Sequence, residues 1–319
     1  MPQTPPTHRP IQPLHLAFAL DGGEQHRERF EVAHYVELAR LAEIGVLDFV
    51  TLDDAPPPAD GAAGRFDALA VLTQVAPATD RIGLVAAVAA PHPGPPSVPA
   101  GIVLLDRISR GRAGWTPPAP DAVASGPSGP SSGTAFAPQD GQDDASAGLH
   151  DTASAGTGPT DGWPVIAVDA TLEAPRETAA RHADVAYVRV GGPHAERLAY
   201  EARTDLRRRA AAYGRDPDRL TVLASLAVEL FDPADAVVLA DLFGDWHRDG
   251  ITDGFHVRPA DPPRDLARLV NGTVPVLQQR GLFRRFQPGT TLREHLGLDR
   301  PVSRAVDRSA DRAGGRSVG

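Results

Sequence analysis

The sequence contains neither cysteine nor lysine, so all 32 of its basic residues are arginine. Without cysteine the chain has no disulfide framework, no cysteine-ligated zinc site and no thiol nucleophile. Without lysine it has no Schiff-base residue and no phosphate-binding lysine of the Walker type. These two absences exclude several large classes of enzyme.

The sequence also lacks an excess of positive charge and a long apolar run. Its 41 acidic side chains outnumber the basic ones and give a formal net charge of -9, which is not the charge of a nucleic-acid-binding protein. No apolar run approaches the roughly 18–20 residues of a membrane span. The segment 14–20 is too short for a signal peptide and contains His15. We therefore expect a cytoplasmic protein that binds neither nucleic acid nor membrane.

Three segments have the composition of disordered chain. Residues 1–13 contain five prolines, and residues 302–319 form a polar tail. Residues 117–162 consist mainly of Ala, Gly, Pro, Ser, Thr and Asp, and their only charges are six aspartates. Such a segment cannot bury enough apolar surface to offset the entropy cost of ordering it. We expect a single domain over residues 14–301, interrupted by a disordered linker at 117–162 and flanked by disordered ends.

The rest of the chain alternates short apolar runs with longer helical patterns, which predicts an α/β fold. The predicted strands are 14–20, 48–52, 82–89, 112–115, 165–169, 185–190, 220–230 and 254–257. The predicted helices are 30–44, 66–75, 97–108, 176–182, 194–213, 234–248 and 264–279. This order fits one (β/α)8 TIM barrel whose fourth helix is missing or replaced by the low-complexity loop. An open doubly wound sheet is disfavoured because no G-x-G-x-x-G fingerprint follows the first strand.

In a TIM barrel the functional side chains gather at the carboxyl ends of the strands. The residues expected there are Asp21, Asp53, Asp54, His92, Trp115, Thr116, Asp169, Thr171, Gly191, Gly192, His256 and Arg258. Such carboxylates and histidines can bind a divalent metal, but each aspartate can equally be a loop residue or a helix N-cap. The two adjacent glycines can bind phosphate at a helix start or form a tight turn. The serines are concentrated in the linker, and none forms a triad pattern with a histidine.

Several stretches together resemble a known family. Residues 104–115 (LLDRISRGRAGW), 277–283 (LQQRGLF) and 291–298 (TLREHLGL) are similar to segments of the luciferase-like flavin-dependent monooxygenases. The similarity is greatest to the branch of nitrilotriacetate and long-chain alkane monooxygenases. Residues 48–54 and 253–255 fall in register with the same family, and the resemblance covers about 14–116 and 164–301.

This resemblance implies a TIM barrel that holds reduced flavin mononucleotide (FMN), supplied by a separate flavin reductase. With molecular oxygen, such an enzyme oxidises a small organic substrate, and the resemblance also implies a homodimer. Two alternatives stay open. One is hydride transfer with a deazaflavin, and the other is a degenerate, non-catalytic barrel that acts as a partner subunit or small-molecule binder.

The family's flavin contacts fall on a mixed set of residues. The acidic residue after the second strand matches Asp54, whereas hydroxyl positions ending the third strand fall on Ala87 and Ala89. An asparagine that follows the Gly-Trp pair is replaced by Thr116, and a phosphate-binding serine falls near Thr171. The resemblance thus assigns cofactor-binding positions to Asp54, Ala89, Trp115, Thr116, Asp169 and Thr171, with no metal ligand and no catalytic residue. Asp169 would repel a phosphate unless arginine compensates its charge.

Overall fold

The computed structural model describes residues 13–21, 31–54, 67–88, 98–117 and 163–298. Within these ranges, eight parallel strands form a closed barrel in chain order. The strands are β1 His15–Ala19, β2 Phe49–Asp53, β3 Gly83–Ala87, β4 Ala113–Thr116, β5 Val165–Asp169, β6 Val185–Val190, β7 Thr221–Val228 and β8 Gly254–Pro259. The predicted TIM barrel is confirmed. The loop predicted to replace the fourth helix, and nearly all of the two predicted disordered ends, lie outside the described residues.

Helices surround the strands much as the periodicity predicts. They are α1 Val32–Ile44, α2 Ala68–Val75, α3 Val98–Ser109, α4 Glu173–His182, α5 Ala195–Ala212, α6 Pro233–Arg248, α7 Pro262–Arg268, α8 Val274–Gln279 and α9 Leu292–His295. The predicted helix at 264–279 is α7 and α8 joined by one π-helical turn. Among the helices in the described ranges, none is long and apolar enough to cross a membrane.

Strand residues alternate between two environments because successive side chains point to opposite faces. One set packs between the strands and the helices, in a core that includes the buried Phe18, Phe243 and Phe255. The other set points into the barrel. At the amino-terminal end of the strands, this inner set packs against Leu292 and Leu296 of α9 and its C-terminal cap. The barrel is therefore filled by apolar side chains at that end, and its polar side chains meet at the opposite end.

The barrel closes where the first and last strands pair. His15 pairs with Gly254, and a Cβ atom at position 254 would lie 2.1 Å from the carbonyl oxygen of His15. No side chain larger than hydrogen fits there, since real Cβ atoms do not approach oxygen so closely. The seam between β1 and β8 therefore depends on glycine at position 254.

Beneath the barrel, a buried carboxylate joins β1 and β2 to the C-terminal segment. Asp48 accepts a hydrogen bond from the Leu16 backbone N–H (2.7 Å) and forms ion pairs with Arg284 (2.9 Å) and His15 (3.0 Å). Burial alone would raise the pKa of Asp48, but Arg284 and His15 outweigh it and hold that pKa below its usual value. A charge buried in this way is stabilised only while its partners remain in place.

Candidate active site

A cavity of about 530 Å³ opens at the carboxyl ends of the strands. Its walls come from β1, β2, β6, β7 and β8 and the residues that follow them. The lining residues are Ala19, Asp21, Thr51, Asp53, Tyr187, Arg189, Ala227, Val228, Glu229, His256, Arg258, Pro259 and Ala260. Ligand sites of TIM barrels lie at this end, and the volume falls within the range of roughly 300–1,000 Å³ typical of small-molecule sites.

Tyr187 and His256 form a buried aromatic floor. Their ring centroids are 4.8 Å apart, and both residues are about 4% exposed. Burial, followed by the nearby charge of Asp53, raises the pKa of Tyr187, so its hydroxyl stays protonated. The floor of the cavity is therefore uncharged on this side.

His256 is held at both ring nitrogens. Its Nδ1 lies 3.0 Å from the Ser225 hydroxyl, and its Nε2 lies 2.9 Å from the Thr51 hydroxyl. Burial, together with the charges of Arg258 and Arg189, lowers the pKa of His256 to about 3. A neutral imidazole donates from one nitrogen and accepts at the other, so both hydroxyls can be satisfied without a buried charge.

The contact between Ser225 and His256 does not make a nucleophilic triad. Ser225 is completely buried, and its hydroxyl also accepts a hydrogen bond from Arg258 Nε (3.2 Å). A triad requires a carboxylate on the far side of the histidine, whereas here that nitrogen meets the hydroxyl of Thr51. The arrangement fixes the orientation of the imidazole and offers no route to an activated serine.

A hydrogen-bonded cluster at the ends of β5 and β6 neutralises Asp169. Its carboxylate forms an ion pair with Arg189 (2.9 Å) and accepts hydrogen bonds from the hydroxyl (2.5 Å) and backbone N–H (3.1 Å) of Thr171. The backbone N–H of Arg189 donates to the Thr171 hydroxyl (2.8 Å). Arginine therefore compensates the negative charge of Asp169, which is the condition for binding an anion nearby.

The structure brings three of the predicted cofactor-binding residues to this end of the barrel. Asp169 and Thr171 belong to the cluster just described, and the Thr116 hydroxyl lies 3.5 Å from that of Tyr187. The proton of the Thr171 hydroxyl is directed at Asp169, so Thr171 would have to turn away from that carboxylate to donate to a phosphate.

The other predicted positions lie elsewhere. Asp54 accepts a hydrogen bond from the Ala68 backbone N–H (3.0 Å) at the start of α2, and the neighbouring Asp53 lines the cavity instead. Trp115 is 4% exposed and packs in the core between strands and helices. Ala89 lies outside the described residues, while Ala87 at the end of β3 pairs with Asp53.

Sequence reasoning missed Tyr187, Arg189 and Ser225, which line or support the cavity. Alternation along β6 gave a signal, because residues 187 and 189 share one face of the strand, and an arginine rarely faces a helix-covered core. Ser225 pairs with both Arg189 and His256 across neighbouring strands. That register arises from the three-dimensional stagger of the barrel, so one sequence gave no sign of it.

A metal site and a phosphate-binding glycine pair are the other possibilities at this end of the barrel. Among the residues that the structure describes, no group of three or more His, Asp or Glu side chains could hold a metal ion. The glycine pair lies between β6 and α5, where Gly192 has φ +73° and its carbonyl accepts from Ala195 N–H. This geometry is that of a tight turn.

Comparison with known proteins agrees with the geometry. Residues 14–116 match the family described as luciferase-like monooxygenase. A segment of 66 residues is 46% identical to N-acetyl-S-(2-succino)cysteine monooxygenase of Bacillus subtilis and covers 21% of this chain and 15% of that protein. A segment of 63 residues is 46% identical to nitrilotriacetate monooxygenase component A of Aminobacter aminovorans and covers 20% of this chain and 14% of that protein. Each match therefore spans about one seventh of the relative's length.

Solved structures share the fold over most of the chain. EDTA monooxygenase from Chelativorans sp. BNC1 has a TM-score of 0.69 at 18% identity, covering 90% of this chain and 99% of its own. Long-chain alkane monooxygenase has a TM-score of 0.66 at 16% identity, covering 90% and 96%. The coenzyme F420-dependent tetrahydromethanopterin reductase from Methanopyrus kandleri has a TM-score of 0.51 at 13% identity, covering 83% and 99%. The resemblance to luciferase-like monooxygenases is thus confirmed, by a family match over residues 14–116 and by a shared barrel fold.

Proposed function

We propose that this protein is a flavin-dependent monooxygenase that uses reduced FMN and molecular oxygen to oxidise a small organic substrate. The observation that carries the proposal is the 530 Å³ cavity at the carboxyl end of a barrel whose first four strands match the luciferase-like family. Monooxygenase activity is printed in the names of the relatives, and we extend it to this chain as a hypothesis.

The residues of the cavity fit a flavin in size and in chemistry. Asp53 and the hydroxyl of Thr51 offer hydrogen-bonding groups for the polar edge of an isoalloxazine ring, and the guanidinium of Arg189 offers N–H donors to a phosphate. When bound, reduced flavin would supply the electrons for oxygen activation, and the protein supplies binding, orientation and shielding. The buried, neutral pair of Tyr187 and His256 excludes water from the floor without adding a proton donor of high acidity.

A separate flavin reductase is proposed as the partner. The name of the related nitrilotriacetate monooxygenase component A describes one component of a larger system. We also propose a homodimer, as the resemblance implies, and a cytoplasmic location. Sedimentation of the purified full chain tests the oligomeric state, and a monomer at micromolar concentration would contradict the dimer.

The test of the main proposal is a titration of the full chain, under anaerobic conditions, with FMN in its reduced and oxidised forms. We expect saturable binding of reduced FMN at micromolar concentration, followed by oxygen consumption when substrate candidates and a flavin reductase are added. Binding of coenzyme F420 without FMN would favour hydride transfer, as in the F420-dependent neighbour of the same fold. If the protein binds neither form of FMN and no coenzyme F420, the non-catalytic alternative is favoured.

A further inference from the structure

Arg258 is a half-buried cation on the wall of the cavity. It lies two residues after His256 on the same face of β8, and it lines the cavity together with His256 and Tyr187. Its Nε donates to the Ser225 hydroxyl (3.2 Å), which fixes the side chain in place. Within the described ranges this is its only hydrogen bond, and no carboxylate lies within ion-pairing distance. The terminal nitrogens Nη1 and Nη2 therefore keep their donors for a ligand.

Other shielded arginines in the described part of the chain have several acceptors each. Arg112 donates to three backbone carbonyls through its terminal nitrogens, and Arg203 and Arg207 share the carboxylate of Asp253. Arg189, the neighbouring cation of the cavity, is paired with Asp169. Arg258 thus differs from these arginines in having a single hydrogen-bond acceptor among the described residues, and it lies on the cavity wall.

The electrostatic surroundings of Arg258 also favour an incoming anion. Burial and then the like charge of Arg189 lower the pKa of Arg258, and the charges of Asp169 and Asp21 offset them only in part. An anion at the terminal nitrogens would replace lost hydration and relieve the repulsion between the two arginines. Charge-assisted, bidentate hydrogen bonds to a guanidinium are the strongest way to do so.

We propose that Arg258 binds a carboxylate of the substrate, so that the cavity selects small organic acids. For the reaction itself, this inference rests on the proposed function. The cavity holds a second arginine, but Arg189 is already paired with Asp169 (2.9 Å), so Arg258 is the cation that we assign to the substrate.

The experiment compares an acid with its neutral isostere. Calorimetric titration of the full chain with butanoate and with butanamide, with and without FMN, measures the preference for the anion. We expect butanoate to bind about tenfold more tightly, as one charge-assisted hydrogen-bonded pair implies. Arg258→Gln should abolish this preference, and Arg258→Lys should retain part of it. Arg197→Gln, which removes an exposed charge on α5, serves as the matched control and should leave the preference intact.

Three outcomes overturn the proposal, and a fourth separates it from the proposed function. Equal binding of butanoate and butanamide by the wild type, or a preference that survives Arg258→Gln, overturns it. A second titration compares FMN with riboflavin, which lacks the phosphate. Loss of FMN affinity in Arg258→Gln with unchanged riboflavin affinity would assign Arg258 to the cofactor phosphate and also overturn it. If the wild type binds no flavin, the proposed function fails, while the butanoate titration still tests Arg258. Thermal unfolding of each variant verifies that it is folded.

Discussion

Individual residues at the cavity owe their properties to what surrounds them. His256 would ordinarily titrate near neutral pH, yet burial between two hydroxyls and beneath two arginines keeps it neutral. Asp169 would ordinarily repel a phosphate, yet Arg189 and Thr171 neutralise it. At this scale, identical residue types differ in function according to one or two neighbours.

The neutral state of His256 predicts a pH-dependent stability. Its pKa is 6.5 ordinarily and about 3 in the folded protein, so the unfolded chain binds the extra proton between these values. The contribution of His256 to the free energy of unfolding is fully present above pH 6.5. It declines as the pH falls from 6.5 toward about 3. We expect a loss of about 2 kcal/mol in the free energy of unfolding between pH 7.5 and pH 5. Urea denaturation at both pH values measures it.

The matched variant for this prediction is His256→Asn, which cannot titrate in the same range. Its free energy of unfolding should change less between the two pH values than that of the wild type. The difference between the proteins isolates His256 from other buried groups, including His295, whose pKa is also lowered, chiefly by burial. An identical pH dependence in both proteins would show that His256 does not cause the effect.

Adjacent aspartates at the end of β2 predict two separable effects. Asp53 lines the cavity, whereas Asp54 bonds to the Ala68 N–H at the start of α2. Asp54→Ala should lower the free energy of unfolding by about 1 kcal/mol through loss of that hydrogen bond. Asp53→Ala should weaken FMN binding roughly fivefold, as loss of one hydrogen bond implies, with a smaller effect on unfolding. Paired urea denaturation and flavin titration measure both; a larger loss of FMN affinity in Asp54→Ala would support the family-derived assignment instead.

Alternation explains which residue assignments could be made from the sequence. Phe49, Thr51 and Asp53 share one face of β2, so the inward position of Asp53 was already encoded in the period of two. The same rule places Trp115 outside and Thr116 inside. The contact of Ser225 with His256 could not be predicted, because it depends on which residues of two strands lie side by side.

At the scale of elements, α9 is the clearest departure from the sequence-based expectation. Four residues are too few to show helical periodicity, and no helix was predicted here from the sequence; the local signal is the pair Thr291 and Glu294, which form a capping box in the structure. Its position beneath the barrel follows from long-range contacts, including a hydrogen bond from Leu292 N–H to the Gly111 carbonyl (3.1 Å). The long helices and the strands were predictable because their apolar patterns repeat over several turns or residues.

Truncation of the Leu292 side chain tests whether α9 closes the amino-terminal end of the barrel by packing against the strands. Leu292 is completely buried among inward-facing strand residues. Leu292→Ala should lower the free energy of unfolding by about 2–5 kcal/mol, because it leaves a cavity that rigid strands cannot close. Leu198→Ala, at an exposed position of α5, is the matched control and should change it by less than about 0.5 kcal/mol. Denaturant unfolding measures both variants, and similar losses would argue against a sealing role.

For the whole molecule, the closed barrel depends on the seam between β1 and β8. Gly254→Ala would place a methyl group within the backbone of His15, so we expect a loss of more than about 3 kcal/mol or failure to fold. Gly191→Ala is the matched control, since no atom lies within 4 Å of the added carbon there. Expression yield and thermal unfolding report the difference; equal stability of the two variants would mean that the seam can open to accept a side chain.

The same seam determines when the cavity comes into existence during folding. β1 and β8 are the strands farthest apart in the chain, and closing so long a loop is entropically costly and slow. Asp21 follows β1, while His256 and Arg258 belong to β8, so the cavity wall is completed only when these two strands pair. A ligand that contacts both β1 and β8 would stabilise their pairing and slow unfolding. The binding site would form late in folding.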